Sequence, residues 1–183
     1  MSERPLVDAL PRGVLASESS DRLAALFETH ADRLYRLARR LTSTADEARD
    51  LVQETFLRAA SALRSIPAGA RDEEAWLVRV MVNRRRDEWR KSAVRSRHAV
   101  ESAFRGESVH TESALITHMT IWRALDLLSP RRRAVVVMYE LEGLNIPAIA
   151  SLLGIAAVTA RWHLSRGRRD LARILRAQTG DKQ

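Results

Sequence analysis

A chain of 183 residues with 45% hydrophobic content has room for one or two packed domains, and its net charge of +8 favours an anionic partner. The absence of cysteine excludes disulfides, thiolate metal sites and cysteine nucleophiles, and fits a reducing compartment. The longest apolar run, residues 134–138, is too short to span a bilayer, and the N-terminus lacks the basic-then-apolar order of a signal peptide.

Lys91 and Lys182 are the only lysines, so almost every cation is arginine. Arginine pairs bidentately with phosphates and base edges and stacks on rings, which suits nucleic acid. Codon usage in a GC-rich genome produces the same excess. With 5 prolines and 7 glycines, the composition favours helices over a turn-rich β fold.

Residues 1–20 read as a loose N-terminal arm. From Asp21 to Leu41, Leu23, Leu26, Phe27, His30, Leu34, Leu37, Ala38 and Leu41 recur at helical spacing, and His30 reads as a packed or edge histidine. Ser43 is placed to cap a second helix, with Asp46 completing a capping-box-like start. This helix, about 44–63, buries Val52, Phe56 and Ala59 and turns Asp46, Asp50, Gln53 and Glu54 outward. Such an acidic edge on a basic protein is either a solvated face or a dock for a basic protein surface.

Residues 64–74, with Pro67 and Gly69, read as a long loop. The third helix, about 75–94, begins apolar (Trp76, Leu77, Val80, Met81) and ends basic (Arg84, Arg85, Arg86, Arg90, Lys91). That order suits a helix leaving a core for a polyanion. Asn83 and Asp87 share a stripe with Trp76 and Val80, where they have either a functional or a local hydrogen-bonding role. Residues 95–116 lack periodicity and read as a flexible linker.

A fourth, amphipathic helix follows from about 116. Ser129 and Pro130 then open a helix predicted to run to Glu142, with Gly143 as its stop. Asn145 is placed to cap a short helix, Gly154 to turn the chain, and Ala157–Ala177 to form a longer one. Its stripe of Ala160, Leu164, Gly167 and Leu171 faces inward. Thr159, Trp162, Ser165, Arg166 and Arg169 lie on the other side. This is either a helix-turn-helix that fits a major groove or a helical hairpin with a solvated arginine face.

The fold expected is all-α: an arm at 1–20, a helical bundle at 21–94, a flexible linker at 95–116, a second bundle at 117–177 and a polar tail at 178–183. His30, His98, His110, His118 and His163 lack metal-ligand spacing, and no nucleophile motif or phosphate loop occurs. No catalytic residue, metal site or cofactor is therefore expected.

Three segments, in order, carry a resemblance: DLVQETFLRA at 50–59, AWLVRVMVNRRRDEWRK at 75–91, and residues 124–171. The chain resembles extracytoplasmic-function (group IV) RNA polymerase sigma factors of the sigma-70 family, which keep sigma domains 2 and 4. The resemblance implies a cytoplasmic, non-enzymatic factor that directs promoter-specific initiation. It implies core RNA polymerase as partner, docked through the clamp helices of its largest subunit on Asp50, Gln53 and Glu54. It implies promoter DNA as the second partner. The loop matching 65–74, with Asn83 beside it, would receive a base flipped from the minus-ten element, while Arg84, Arg85, Arg86 and Arg90 follow the backbone.

Thr159, Arg161, Trp162, Ser165, Arg166 and Arg169 would face the minus-thirty-five element. Ala156, where the family often has a capping serine, Val158 and the bulky Trp162 depart from the pattern and point to an unusual minus-thirty-five preference. The family also implies an anti-sigma factor covering both domains. The rival reading is a helix-turn-helix regulator acting without polymerase, which leaves the acidic edge unexplained.

Overall fold

The computed structural model describes the backbone of residues 12–98 and 113–180 and the side chains of 18–92 and 120–177. Among the described residues every regular element is helical: α1 Arg12–Leu41, α2 Ala45–Ser61, a short 3-10 turn Leu63–Ser65, α3 Ala70–His98, α4 Ser113–Asp126, α5 Pro130–Glu140, α6 Ile146–Leu153 and α7 Ala157–Gly180. Among the described residues no single helix is long and apolar enough to cross a membrane.

Several expected boundaries move. The helix expected from Asp21 begins at Arg12, so the second half of the expected arm is helical. Residues 1–11 lie outside the described residues. The expected linker narrows as well: 95–98 complete α3 and 113–116 open α4, while 99–112 lie outside the described residues. Helices α1 and α3 outrun their apolar stripes because a helix already nucleated by packing propagates at little cost per added residue.

The first bundle packs Leu26, Leu34, Leu37 and Leu41 of α1 against Leu51, Phe56 and Ala59 of α2 and Leu77, Val78 and Met81 of α3. Each fully buried leucine contributes roughly 1.5–3 kcal/mol. His30 is buried with its Nε2 3.4 Å from a Glu73 carboxylate oxygen, as befits a packed histidine. Phe27, expected in the core, is instead 53% exposed, its ring centroid 4.9 Å from that of Phe56. It sits on the wall of a groove between α1 and α2, beyond the reach of α3.

The cap of α2 is displaced by one residue. Thr44, not Ser43, takes the N-cap position, and its hydroxyl accepts from the Glu47 N–H at 3.1 Å. The Glu47 carboxylate in turn accepts from the Ser43 N–H at 3.0 Å, the reciprocal bond expected of Asp46.

The long loop expected at 64–74 is short. Ile66 is buried, its carbonyl accepting from Arg22 at 2.8 Å, and α3 starts at Ala70. Gly69 at φ 105° lets its carbonyl accept from both Asp72 and Glu73 N–H groups, and those two acids favour a helix start.

The second bundle buries Leu125 and Leu128 with Val135, Val137 and Met138 of α5, Ile149 and Leu153 of α6, and Ala160 and Leu164 of α7. Asn145 caps α6, its Oδ1 accepting from the Ala148 N–H at 2.9 Å. Gly154 ends α6 in the left-handed region at φ 61°. Ser129 stands at the α5 N-cap position without a side-chain cap bond, because Pro130 already fixes the first turn, and α5 ends at Glu140 rather than Glu142. A Cβ at Gly167 would lie 2.6 Å from the Val136 Cγ2, so the close α5–α7 approach requires glycine there.

The two bundles are in contact. Helix α3 packs on α5 and α6, and α1 packs on α5.

Candidate nucleic-acid interface

The exposed face expected on α7 forms. Arg161, Trp162, Ser165, Arg166 and Arg169 of α7 are exposed, and Thr159 is half-buried at the start of the same face. Ala160, Leu164 and Gly167 are buried behind them. Trp162, 52% exposed, is held from two sides: the Arg132 guanidinium lies 5.7 Å from its ring centroid, and His163 meets it edge-on at 5.0 Å. Arg166 lies 3.8 Å from Asp170, while Arg169 donates to the Ser165 carbonyl at 3.4 Å. The cationic face is thus partly ordered before any ligand arrives.

The acidic edge of α2 separates into two parts. Asp50 and Gln53 are exposed, and no ion pair engages Asp50 among the described residues. Glu54 is clamped by Arg84, whose Nη2 donates to its Oε1 at 2.7 Å while Nε donates to the other oxygen. The hydrogen bonds from Arg84 push the Glu54 carboxyl below its ordinary range, and the partnership raises Arg84. A residue expected to meet polymerase and one expected to meet DNA therefore hold each other.

Other arginines of α3 are committed likewise. Arg85 reaches Glu47 at 3.6 Å and Glu88 at 3.7 Å, and Arg86 reaches Asp87 at 3.4 Å. Burial, then the neighbouring Glu54, raises Glu88. Arg90 is exposed with no ion pair among the described residues, which leaves it the most available cation of the four.

Asn83 does not sit beside the 65–74 segment. Along α3 it is about 14 Å beyond Glu74, the last residue of that segment, from the helical rise of 1.5 Å per residue. It lines a cleft of about 580 Å³ between α2 and α3, with Glu54, Leu57, Arg58, Val80 and Asp87. Its Oδ1 accepts from Arg131 of the second bundle at 3.4 Å.

The joint between the bundles gathers charged residues that the sequence analysis left without a role. Arg131, Arg132 and Arg133 fill the first turn of α5, where positive charge opposes the helix dipole. Each has a distant partner. Arg131 meets Asn83, and Arg132 meets Asp170 at 2.8 Å. Arg133, 3% exposed, pairs with Asp126 and donates to the carbonyls of Arg40 at 2.8 Å and Thr42 at 3.0 Å. Burial pushes Arg133 below its ordinary value, and Asp126 opposes that fall. Glu142, whose side chain is 6% exposed, receives Arg33 at 3.3 Å and Arg40 at 3.0 Å. At the α6–α7 turn, a Cβ on Gly154 would lie 2.7 Å from the Arg79 Nε. The bundles, expected to be joined by a flexible linker, also meet through buried polar contacts. The signal in the sequence was three cations in a helix's first turn.

Among known proteins, the profile of Sigma-70 region 2 matches residues 26–95, and that of Sigma-70, region 4 matches 118–171. The ECF RNA polymerase sigma factor SigL of Mycobacterium tuberculosis is 38% identical over 83% of this chain and 87% of its own length. The chain belongs to the extracytoplasmic-function sigma factors of the sigma-70 family. SigE of Mycolicibacterium smegmatis, another ECF factor, is 36% identical over 80% of this chain, which spans 58% of that relative's length. The sigma factor RpoE from Bartonella quintana, solved with the anti-sigma factor NepR, shares the fold: its TM-score is 0.56 at 24% identity, covering 88% of this chain and 96% of that one. As an ECF factor the chain is an alternative sigma factor that directs transcription with RNA polymerase. Among the described residues no group of three His, Cys, Asp or Glu side chains is placed to hold a metal.

Proposed function

We propose that the first bundle docks on the clamp helices of core RNA polymerase through Asp50 and Gln53, that the α2–α3 cleft with Asn83 takes an unstacked minus-ten base, and that α7 reads the minus-thirty-five duplex. The observation that carries this reading is the α6–α7 hairpin. A capped short helix and a left-handed glycine present a face of three arginines, a serine and a tryptophan to solvent, with the opposite face buried. Such a face fits a major groove, where arginine bonds guanine and phosphate.

The exposed acids support polymerase docking, because carboxylates on a basic protein repel DNA and attract a basic protein surface. In this arrangement Glu54 contributes only after Arg84 releases it, and Asn83 only after Arg131 withdraws. The bundles must therefore part before the minus-ten strand is captured. Capture is binding, not covalent chemistry: an unpaired base stacked or pocketed is held by about 1–3 kcal/mol, which draws the melting equilibrium forward. The compact pairing of bundles also suits an anti-sigma factor that spans both; the Bartonella sigma factor was solved in complex with an anti-sigma factor, NepR.

Run-off transcription with purified core enzyme tests the reading. A promoter-dependent transcript that appears only on adding this chain is expected. Duplex binding without affinity for core enzyme would replace the reading with that of a regulator acting alone.

A further inference from the structure

Between the bundles lies a second cleft, of about 500 Å³, that the sigma mechanism does not use. Its walls come from the C-terminal half of α1, from α4 and from α5. Five guanidiniums line it, those of Arg36, Arg39, Arg40, Arg123 and Arg133, against one carboxylate, Asp126. Arg133 is spent on Asp126 and two carbonyls, and Arg40 on Glu142. Arg36, Arg39 and Arg123 are exposed, and none has a carboxylate within ion-pair distance among the described residues.

Arg36, Arg39 and Arg40 stand at i, i+3 and i+4 on one helix, a spacing at which like charges destabilise the helix. Arg123 adds another cation from the opposite bundle. A concave, doubly walled site with uncompensated guanidinium forks matches an anion with several oxygens rather than the convex rail of a duplex. Tyr35 and Trp122 supply aromatic surface in the same cleft.

We propose that this cleft binds a small polyphosphate-bearing ligand, its phosphates shared between Arg36 and Arg39 of the first bundle and Arg123 of the second. The bound anion cancels the repulsion across the cleft and ties the bundles in the arrangement that occupies Asn83. The shared chemistry is a chain of phosphates, free or carried by a nucleotide.

The test is calorimetric titration of the full chain with inorganic tripolyphosphate and, separately, with ATP. Saturable binding is expected with a Kd below about 1 mM. Arg39→Glu and Arg123→Glu, on opposite walls, should each weaken it by about tenfold or more, while Arg64→Glu, an exposed arginine outside the cleft, leaves it unchanged. Tighter binding of ATP than of tripolyphosphate assigns the site to a nucleotide with its base on Tyr35 and Trp122; equal binding assigns it to the phosphate chain alone. The proposal is overturned if neither probe saturates below that concentration, if both wall variants bind as wild type, or if Arg64→Glu weakens binding equally and net charge explains the effect. Weakened promoter-duplex binding by the wall variants with tripolyphosphate binding intact would also overturn it, assigning these arginines to DNA.

Discussion

Arg133→Met should open the joint between the bundles while leaving each bundle folded. The wild-type guanidinium is buried, pairs with Asp126, and donates to the carbonyls of Arg40 and Thr42 at 2.8 and 3.0 Å. Those carbonyls flank the end of α1, where carbonyl groups lack helical partners and a cation is favoured. Methionine keeps the length and removes every donor. With the bundles closed, each unsatisfied carbonyl costs about 1–3 kcal/mol. Asp126, whose side chain is 31% exposed, regains part of its solvation from water and adds less than a fully buried ion would. A combined penalty of about 3 kcal/mol is a shift of roughly a hundredfold in the closed-to-open ratio. Separation lets water reach all three groups, so the molecule relieves the penalty by opening rather than by unfolding.

The chain has no cysteine, so a dye pair at Arg64→Cys and Arg173→Cys reports the inter-bundle distance without background labelling. Reduced energy transfer and a larger radius of gyration by small-angle scattering, with far-ultraviolet circular dichroism unchanged, are expected. Unchanged transfer and scattering would show that the guanidinium does not hold the bundles together and would refute the reasoning.

Four further outcomes are expected. Asp50→Arg, at an exposed acid without an ion pair among the described residues, should weaken core-polymerase binding by at least about tenfold with the melting temperature unmoved; an unaffected pull-down would remove the acidic edge from the docking surface. Asn83→Ala should impair capture of a single-stranded minus-ten oligonucleotide more than duplex binding, and equal effects in filter binding would leave Asn83 as a partner of Arg131 alone. Arg166→Ala should cost about 1–3 kcal/mol on a cognate minus-thirty-five duplex; unchanged binding by fluorescence anisotropy would confine this arginine to its contact with Asp170.

The fourth concerns pH. Burial, with Arg131 and Arg132 nearby, pushes His163 below its ordinary value, in a crevice it shares with Arg79, Asn83 and Arg131. The unfolded chain therefore takes up a proton below about pH 6.5 that the native state resists, and stability falls as pH drops through that range. Urea midpoints from pH 7.5 to 5.5 should fall for the wild type and change less for His163→Gln; parallel slopes would exclude His163 as the cause.

The helices, their faces and the hairpin were legible because the signals are local. The leucine spacing of α1, the Asn145 cap and the Gly154 turn are each settled within one or two helical turns of sequence, and solvent alone decides which side faces out. Cap and boundary positions shifted where two candidates adjoin, as Ser43 and Thr44 do, because the choice depends on which hydroxyl reaches the N–H three residues on. The loop at 64–74 was misjudged because Ile66 and the acids at 72–74 find their roles only against α1: Arg22 bonds the Ile66 carbonyl, and His30 and Arg33 meet Glu73 and Glu74.

What the sequence determined by itself is the pair of helical bundles, the buried and exposed sides of α7, and the family. The tertiary structure alone decided which charges are free. Arg84 and Glu54 carry opposite formal charges in any reading of the chain, yet packing α2 on α3 spends each on the other. Of the three arginines opening α5, Arg132 meets Asp170 only when α5 packs on α7, and Arg131 and Arg133 find Asn83 and the end of α1 only when the second bundle meets the first. Hydrophobic periodicity is written between neighbours three and four residues apart, whereas pairs such as Arg84–Glu54 and Arg132–Asp170 join groups tens of residues apart. Only the folded chain brings those groups within a few ångströms.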